Sequence, residues 1–134
     1  MLSSDDKLAI IALYQSYNAT IDAHDASGWA LLFTSDGRFV HPSGVYVGEH
    51  ELAAFVTERA GRLSEASGET QRHWNDGLKF TGDAEAVAGS CDLLVAVRVH
   101  DGGATKVIAT GRYDDKLAKR AGIWRFAERR LTVG

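Results

Sequence analysis

The sequence is short of several things, and each shortage excludes a class of protein. Of its 134 residues one is cysteine, Cys91, so an internal disulfide and a cysteine-rich zinc site are out. One residue is proline, Pro42, which leaves no proline-rich linker. Charge of one sign is nowhere concentrated: 15 Lys+Arg stand against 18 Asp+Glu, a formal net charge of −3. The densest basic stretch, Arg129-Arg130, is too small for a nucleic-acid footprint. No run approaches the roughly 18 apolar residues of a membrane-spanning helix. Met1 to Lys7 contains Asp5 and Asp6 and no apolar stretch, unlike a signal peptide. The expectation is a soluble cytoplasmic protein.

What is present is ordinary for a globular chain, 45% hydrophobic and 25% charged, and predicts a single domain over 1–134. Its 14 glycines, with so little proline, suit long bent strands. Ser3-Ser4-Asp5-Asp6 reads as a helix start. Apolar residues then recur at helical spacing in two adjoining stripes, Leu8, Ile11 and Ala12 on one, Ile10, Leu13, Tyr17 and Ile21 on the other. That helix is predicted to end near His24 to Ser27. Trp29, Leu31, Leu32 and Phe33 suggest a second short helix. Thr34 to Gly37 reads as a turn, Arg38 to His41 as a strand, and Val45 to Val47 as another. A third helix is predicted over Glu49 to Leu63, with Leu52, Phe55, Val56 and Ala60 inward. Ser64 to Thr70 is the most loop-like stretch. Strand patterns follow over Arg72–Phe80, Ala84–His100, Ala104–Leu117 and Ile123–Thr132. Their turns fall at Thr81-Gly82-Asp83, Asp101-Gly102-Gly103 and Ala121-Gly122. Helices first and an antiparallel meander last make an α+β fold, a curved sheet around helices.

The long strand has two unlike faces. Val87, Gly89, Cys91, Leu93, Val95, Val97 and Val99 form a wholly apolar one. Ala88, Ser90, Asp92, Leu94, Ala96, Arg98 and His100 form a mixed one, and Asp92 mid-strand implies either solvent or a polar pocket there.

Tyr17, Ile21-Asp22 and Asp25, then Trp29, Leu32-Phe33 and Asp36-Gly37, resemble the opening of the SnoaL-like branch of the nuclear transport factor 2-like superfamily. Gly48 before a helix, Arg72-His73-Trp74-Asn75, Gly111-Arg112-Tyr113-Asp114 and the closing Gly122 to Ala127 with Arg129 fit the same pattern. The resemblance spans essentially the whole chain. It implies a cone-shaped α+β barrel of cystatin-like type, with N-terminal helices packed in a curved, mainly antiparallel sheet around an apolar cavity. Such folds host dehydratases, isomerases, polyketide cyclases, an epoxide hydrolase, oxygenase small subunits and non-catalytic binders. Similarity to scytalone dehydratase and the dehydrochlorinase implies that Asp22 orients His73, which abstracts a proton. Where scytalone dehydratase has two assisting tyrosines and a second histidine, this chain has Ile21, His41 and Ala96.

A carboxylate that accepts from one imidazole nitrogen fixes the tautomer and makes the other nitrogen a base. His73 and Asp22 are therefore the candidate catalytic pair, and Asp92 the candidate acid, with an outward Asp92 paired to Arg98 or Arg112 as the alternative. Tyr17, Ile21, His41, Leu94, Ala96 and Tyr113 are the candidate substrate-binding residues. His24, His50 and His100 read as surface residues, Asp25 and Asp36 as turn and capping acids, and Cys91 as an inert buried thiol. No HxH, HExxH or CxxC spacing, P-loop, GxGxxG or nucleophile elbow occurs, so neither metal nor cofactor is expected. The expected function is a cofactor-independent lyase or isomerase acting on a small cyclic hydrophobic substrate. The alternatives are a ligand-binding or oxygenase small-subunit-like protein, and an epoxide-type hydrolase using Asp92 with Arg98 or Arg112. The expected assembly is a homodimer through a sheet face bearing Val95, Val97 and Val99.

Overall fold

The computed structural model describes residues 1–65, 69–99 and 103–134. The predicted turn at Asp101-Gly102 and the surface reading of His100 lie outside them, as does the middle of the predicted 64–70 loop.

Helix α1 spans Ser4–Asp22. The Ser3 hydroxyl accepts from the Asp6 N–H at 3.0 Å, and Asp5 and Asp6 meet the positive end of the helix dipole. The buried stripe is Ile10, Leu13, Tyr14, Tyr17 and Ile21, while Leu8 and Ile11 face solvent. Ala23 caps the helix, and His24 follows with a left-handed φ of 57°. Helix α2 covers Ala26–Ala30, earlier than predicted, because the Asp25 side chain caps it by accepting from the Gly28 N–H. Phe33 consequently starts strand β1, Phe33–His41, and Thr34 to Gly37 form an irregularity inside that strand rather than a turn. Strand β2 is Gly44–Val47 and helix α3 Gly48–Glu65. The meander is β3 Glu69–Gly82, β4 Ala86–Val99, β5 Thr105–Arg120 and β6 Ile123–Val133.

These strands form one sheet in the order β2-β1-β6-β5-β4-β3. Neighbours are antiparallel except β1 and β6, which run parallel. The sheet is not closed: β2 and β3 are its two ends, so the expected barrel is an open, curved sheet with helices on one face. The core between them holds Tyr17, Trp29, Phe39, Leu52, Phe55, Tyr113 and Phe126. Most aromatic pairs meet edge-on or tilted, as at Trp29 and Phe39, 5.3 Å apart, while Trp29 and Phe55 stack. Gly89 is required where α1 crosses β4, since a Cβ there would lie 2.5 Å from the Tyr14 hydroxyl. No helix among the described residues is long and apolar enough to cross a membrane.

The faces of β4 are opposite to those expected. Val87, Cys91, Leu93 and Val95 belong to the core, and Val97 is also buried. The apolar row thus packs inward within one chain, and Val95 and Val97 offer no exterior surface to a second copy. Asp92, Leu94 and Ala96 lie on the outer face, in register with Arg112 on β5 and with Trp74 and Arg72 on β3. The reason is hydrophobic: of the two faces, the one without a charge goes to the helices.

Candidate active site

Asp22 is the last residue of α1, and His73 is on the inner face of β3, opposite Val95. The His73 Nδ1 lies 2.7 Å from the Asp22 Oδ1. The His73 backbone N–H donates to both carboxylate oxygens at 3.1 Å. An ionised carboxylate only accepts, so Nδ1 is the donor, and in the neutral ring that places the lone pair on Nε2. The histidine side chain is 9% exposed and the aspartate 19%. A carboxylate at a helix C-terminus faces the negative end of the dipole. The donors from β3 offset this, and so does a cation, Arg59.

Arg59 is half-buried on α3 and falls on the same helical stripe as Leu52, Phe55 and Val56. Its Nη2 donates to the Gln71 side chain at 3.1 Å. Burial lowers its pKa, while the Asp22 charge works in the opposite direction. Its Nη1 is buried without a hydrogen-bond partner among the described residues. Beside the pair, Asn18 of α1 donates to Asn75 of β3 at 2.7 Å.

Tyr17 and Tyr113 are both in the interior, with the Tyr113 hydroxyl donating to that of Tyr17 at 3.4 Å. Burial raises the pKa of each, so both stay protonated. The Tyr113 ring lies beneath the Arg129 guanidinium, 3.5 Å from its centroid. Arg129 is fully buried and its Nε donates to Asp115 at 3.0 Å. Tyr14 completes the cluster by donating to the other Asp115 oxygen at 2.6 Å. Burial raises the Asp115 carboxyl, and the Arg129 charge and the Tyr14 hydroxyl oppose that. Cys91 is beside it, its thiol pushed up to about 11 by burial, in keeping with an unreactive group.

Ile21 is 2% exposed within the core, one turn along α1 from Tyr17. His41 is at the end of β1, its ring against Phe55 at 5.1 Å. The Ser43 backbone N–H donates to the His41 Nδ1 at 3.1 Å, which makes that ring a neutral Nε2–H tautomer. Burial lowers its pKa first, and the charges of Arg62 and Arg59 add to the shift.

Three expected site residues are not here. Asp92 is exposed on the outer face, and Leu94 and Ala96 share that face, lining shallow grooves of about 420 and 500 Å³ with Trp74. Arg112, opposite Asp92, is held instead by Asp114 at 3.0 Å. Asp92 therefore cannot serve a reaction beside His73. His24 and His50 are exposed, and Asp25 caps α2 as expected. The Asp36 side chain accepts from Thr34 and Arg120. No group of three or more His, Cys, Asp or Glu side chains converges as a metal site among the described residues.

Arg129, Asp115 and Arg59 were not anticipated. A register shift between Lys116 and Leu117 inserts Ala127 into β6, so inward positions pass from Trp124 and Phe126 to Arg129. Simple alternation sends Arg129 outward. Arg59 had a legible signal: a charged residue on an apolar helical stripe.

A family model described as a SnoaL-like domain matches residues 3–130. The chain belongs to the SnoaL-like domain family. This SnoaL-like protein is 27% identical, over 92% of its length and 88% of the other's, to the terephthalate 1,2-dioxygenase terminal oxygenase component subunit beta 2 of Comamonas sp.. Among solved structures it is similar to a protein of unknown function from Mycobacterium tuberculosis, with 30% identity and a TM-score of 0.80, covering 96% of this chain and 71% of that one. A Nostoc punctiforme protein with a cystatin-like fold superposes with a TM-score of 0.82 at 22% identity, covering 99% and 94%. The SnoaL-like protein thus has the cystatin-like α+β architecture, with the Asp22–His73 pair held between α1 and β3.

Proposed function

We propose that this SnoaL-like protein is a cofactor-independent lyase or isomerase in which His73 abstracts a proton from a small, cyclic, largely apolar substrate. The observation that carries the reading is the 2.7 Å contact between Nδ1 and Asp22, which leaves Nε2 free to act as the base. The double anchorage of Asp22 on the ring and backbone of one residue supports it, because it fixes ring orientation as well as tautomer. In this reading Tyr17, Ile21, His41 and Tyr113 are the candidate substrate-binding residues. The test is exchange of carbon-bound protons in deuterated water, followed by NMR over a panel of cyclic ketones and hydroxyketones. Exchange with at least one compound, lost in both His73→Gln and Asp22→Asn, supports base catalysis. Exchange unchanged in His73→Gln, or absent across the panel, counts against it.

A second reading is an oxygenase small-subunit-like partner or a non-catalytic binder. The similarity to the dioxygenase beta subunit favours it. Co-purification with a large iron–sulfur subunit would support this reading. The epoxide-hydrolase reading loses its water site, because Asp92, Arg98 and Arg112 all face outward. Homodimerisation and a cytoplasmic location remain part of the proposal. The dimer surface is moved to the outer sheet face, where Trp74, Val107 and Ile108 are exposed.

A further inference from the structure

Two guanidinium nitrogens are buried without a partner among the described residues, the Nη1 of Arg59 and the Nη1 of Arg129. Their surroundings differ. Arg129 is fully buried, ion-paired to Asp115, and stacked on Tyr14, Tyr17, Tyr113 and Phe126. It is sealed among rings, and no ligand oxygen can reach it. Arg59 is only half-buried, and its other terminal nitrogen is tied to Gln71. Gln71 and His73 are both on the inner face of β3, opposite Val97 and Val95. Alternate residues of a strand are about 7 Å apart. The guanidinium is therefore secured one strand position from the base, where it also feels the charge of Asp22.

We propose that Arg59 holds an oxygen of the substrate beside His73, and that the substrate is an enolisable cyclic carbonyl compound. This rests on the reading of His73 as a base. A buried N–H without an acceptor is costly, and a charged one more so, whereas a substrate oxygen supplies the missing acceptor. The cost becomes an advantage when negative charge develops on that oxygen. In the step, the C–H bond adjacent to the carbonyl breaks and its proton moves to the His73 Nε2. The electron pair forms the C=C bond of an enolate, and the carbonyl π electrons become the charge on oxygen. The Nη1–H of Arg59 donates to that oxygen. Return of the proton to another carbon gives isomerisation, and departure of a β-hydroxyl, protonated as it leaves, gives elimination. His73 takes and returns the proton; Arg59 never gives one up.

The probe is 4-nitrophenol, whose phenolate resembles an enolate and whose absorbance reports its ionisation, compared with nitrobenzene as the neutral shape. The folded wild-type protein is expected to bind the phenolate in preference to both nitrobenzene and the phenol, and to lower the dye's apparent pKa. Arg59→Met is expected to lose about tenfold to a hundredfold in phenolate affinity while retaining nitrobenzene binding. Arg59→Lys, which keeps the charge should the methionine variant fail to fold, is expected to retain part of the preference. His73→Gln is expected to keep the anion preference while losing deuterium exchange, so failure of the base does not read as failure of Arg59. Equal phenolate affinity in wild type and a folded Arg59 variant overturns the proposal, as does a wild type without anion preference.

Discussion

Asp22 and His73 come from elements far apart in sequence, and neither side chain is held by its own element alone. The carboxylate is the terminal residue of α1 and the imidazole is mid-edge on β3, so the pair exists only when helix and strand are docked. Its effect divides accordingly. Asp22→Asn keeps size but loses the acceptor charge that selects the tautomer, and is expected to cut exchange activity by about 10²- to 10⁴-fold with little change in substrate affinity. Steady-state kinetics that show only a raised KM would contradict that role. Arg129 poses the opposite problem, a charge with no access to water. Asp115→Asn leaves it without its counter-charge and is expected to destabilise the protein by about 3–5 kcal/mol in urea melts. An apolar pair at both positions recovers most of the loss, since two desolvation costs vanish together. His41 contributes a pH dependence. Its pKa lies below the ordinary 6.5, so its contribution is complete above that value and is lost as pH falls through the lowered one. Thermal melts from neutral pH downward are expected to fall less steeply for His41→Asn than for wild type. The Asp22–His73 pair was legible because the family pattern marks both positions. Arg129 was not, since the bulge at Ala127 turns it inward against the rule that charge faces water, whereas Arg59 was marked only by its place on an apolar helical stripe.

Elements joined by irregularities set which residues meet. On β3 the register shifts between Asp76 and Lys79, around Gly77 with its φ of 63°. Inward positions are His73 and Asn75 before it, and Leu78 and Phe80 after it. On β6 the shift at Ala127 delivers Arg129 to the core. Period-two reading places strands well but loses parity at each bulge, which is why element order was legible and the inward turn of Arg129 was not. The crossing of α1 over β4 is equally exact in its demands. Gly89→Ala would drive a methyl group into the Tyr14 hydroxyl and displace it from Asp115, and is expected to cost about 1–3 kcal/mol by chemical denaturation. The start of α1 is tied to the far strands through Asp6, which accepts from Lys119 and Trp124 at 2.9 Å each. Those hydrogen bonds pull its carboxyl from 3.8 to about 2. The stabilisation is present above 3.8 and is lost as pH falls toward about 2. Asp6→Asn is expected to flatten this acid limb of the melting curve, and an unchanged limb would assign it to other carboxylates.

Across the molecule, one sheet face is used by the chain itself and the other is left outside. The outer face carries Arg72, Trp74, Leu94, Val107 and Ile108, a mixed surface in which Arg72 stacks on Trp74 at 5.2 Å. If this face joins two copies, sedimentation at micromolar concentration is expected to give a dimer that Trp74→Glu dissociates; a monomeric wild type would remove the dimer from the proposal. The fold class was legible from helices followed by a glycine-punctuated meander. The orientation of that meander was not, because periodicity tells two faces apart without saying which one the helices take. The parallel pairing of β1 with β6 adds a constraint in time. Phe33 aligns with Phe126 and Phe39 with Arg129, so the β1–β2 hairpin finds its place in the sheet only after the last strand exists. During synthesis on the ribosome, β1, β2 and α3 emerge early but have no sheet to join until residues 123–133 follow. Phe33 lacks its contact with Phe126 through most of translation, and the closing step of folding is a long-range one. A nascent chain stalled before Ile123 should bind chaperones that the released protein does not.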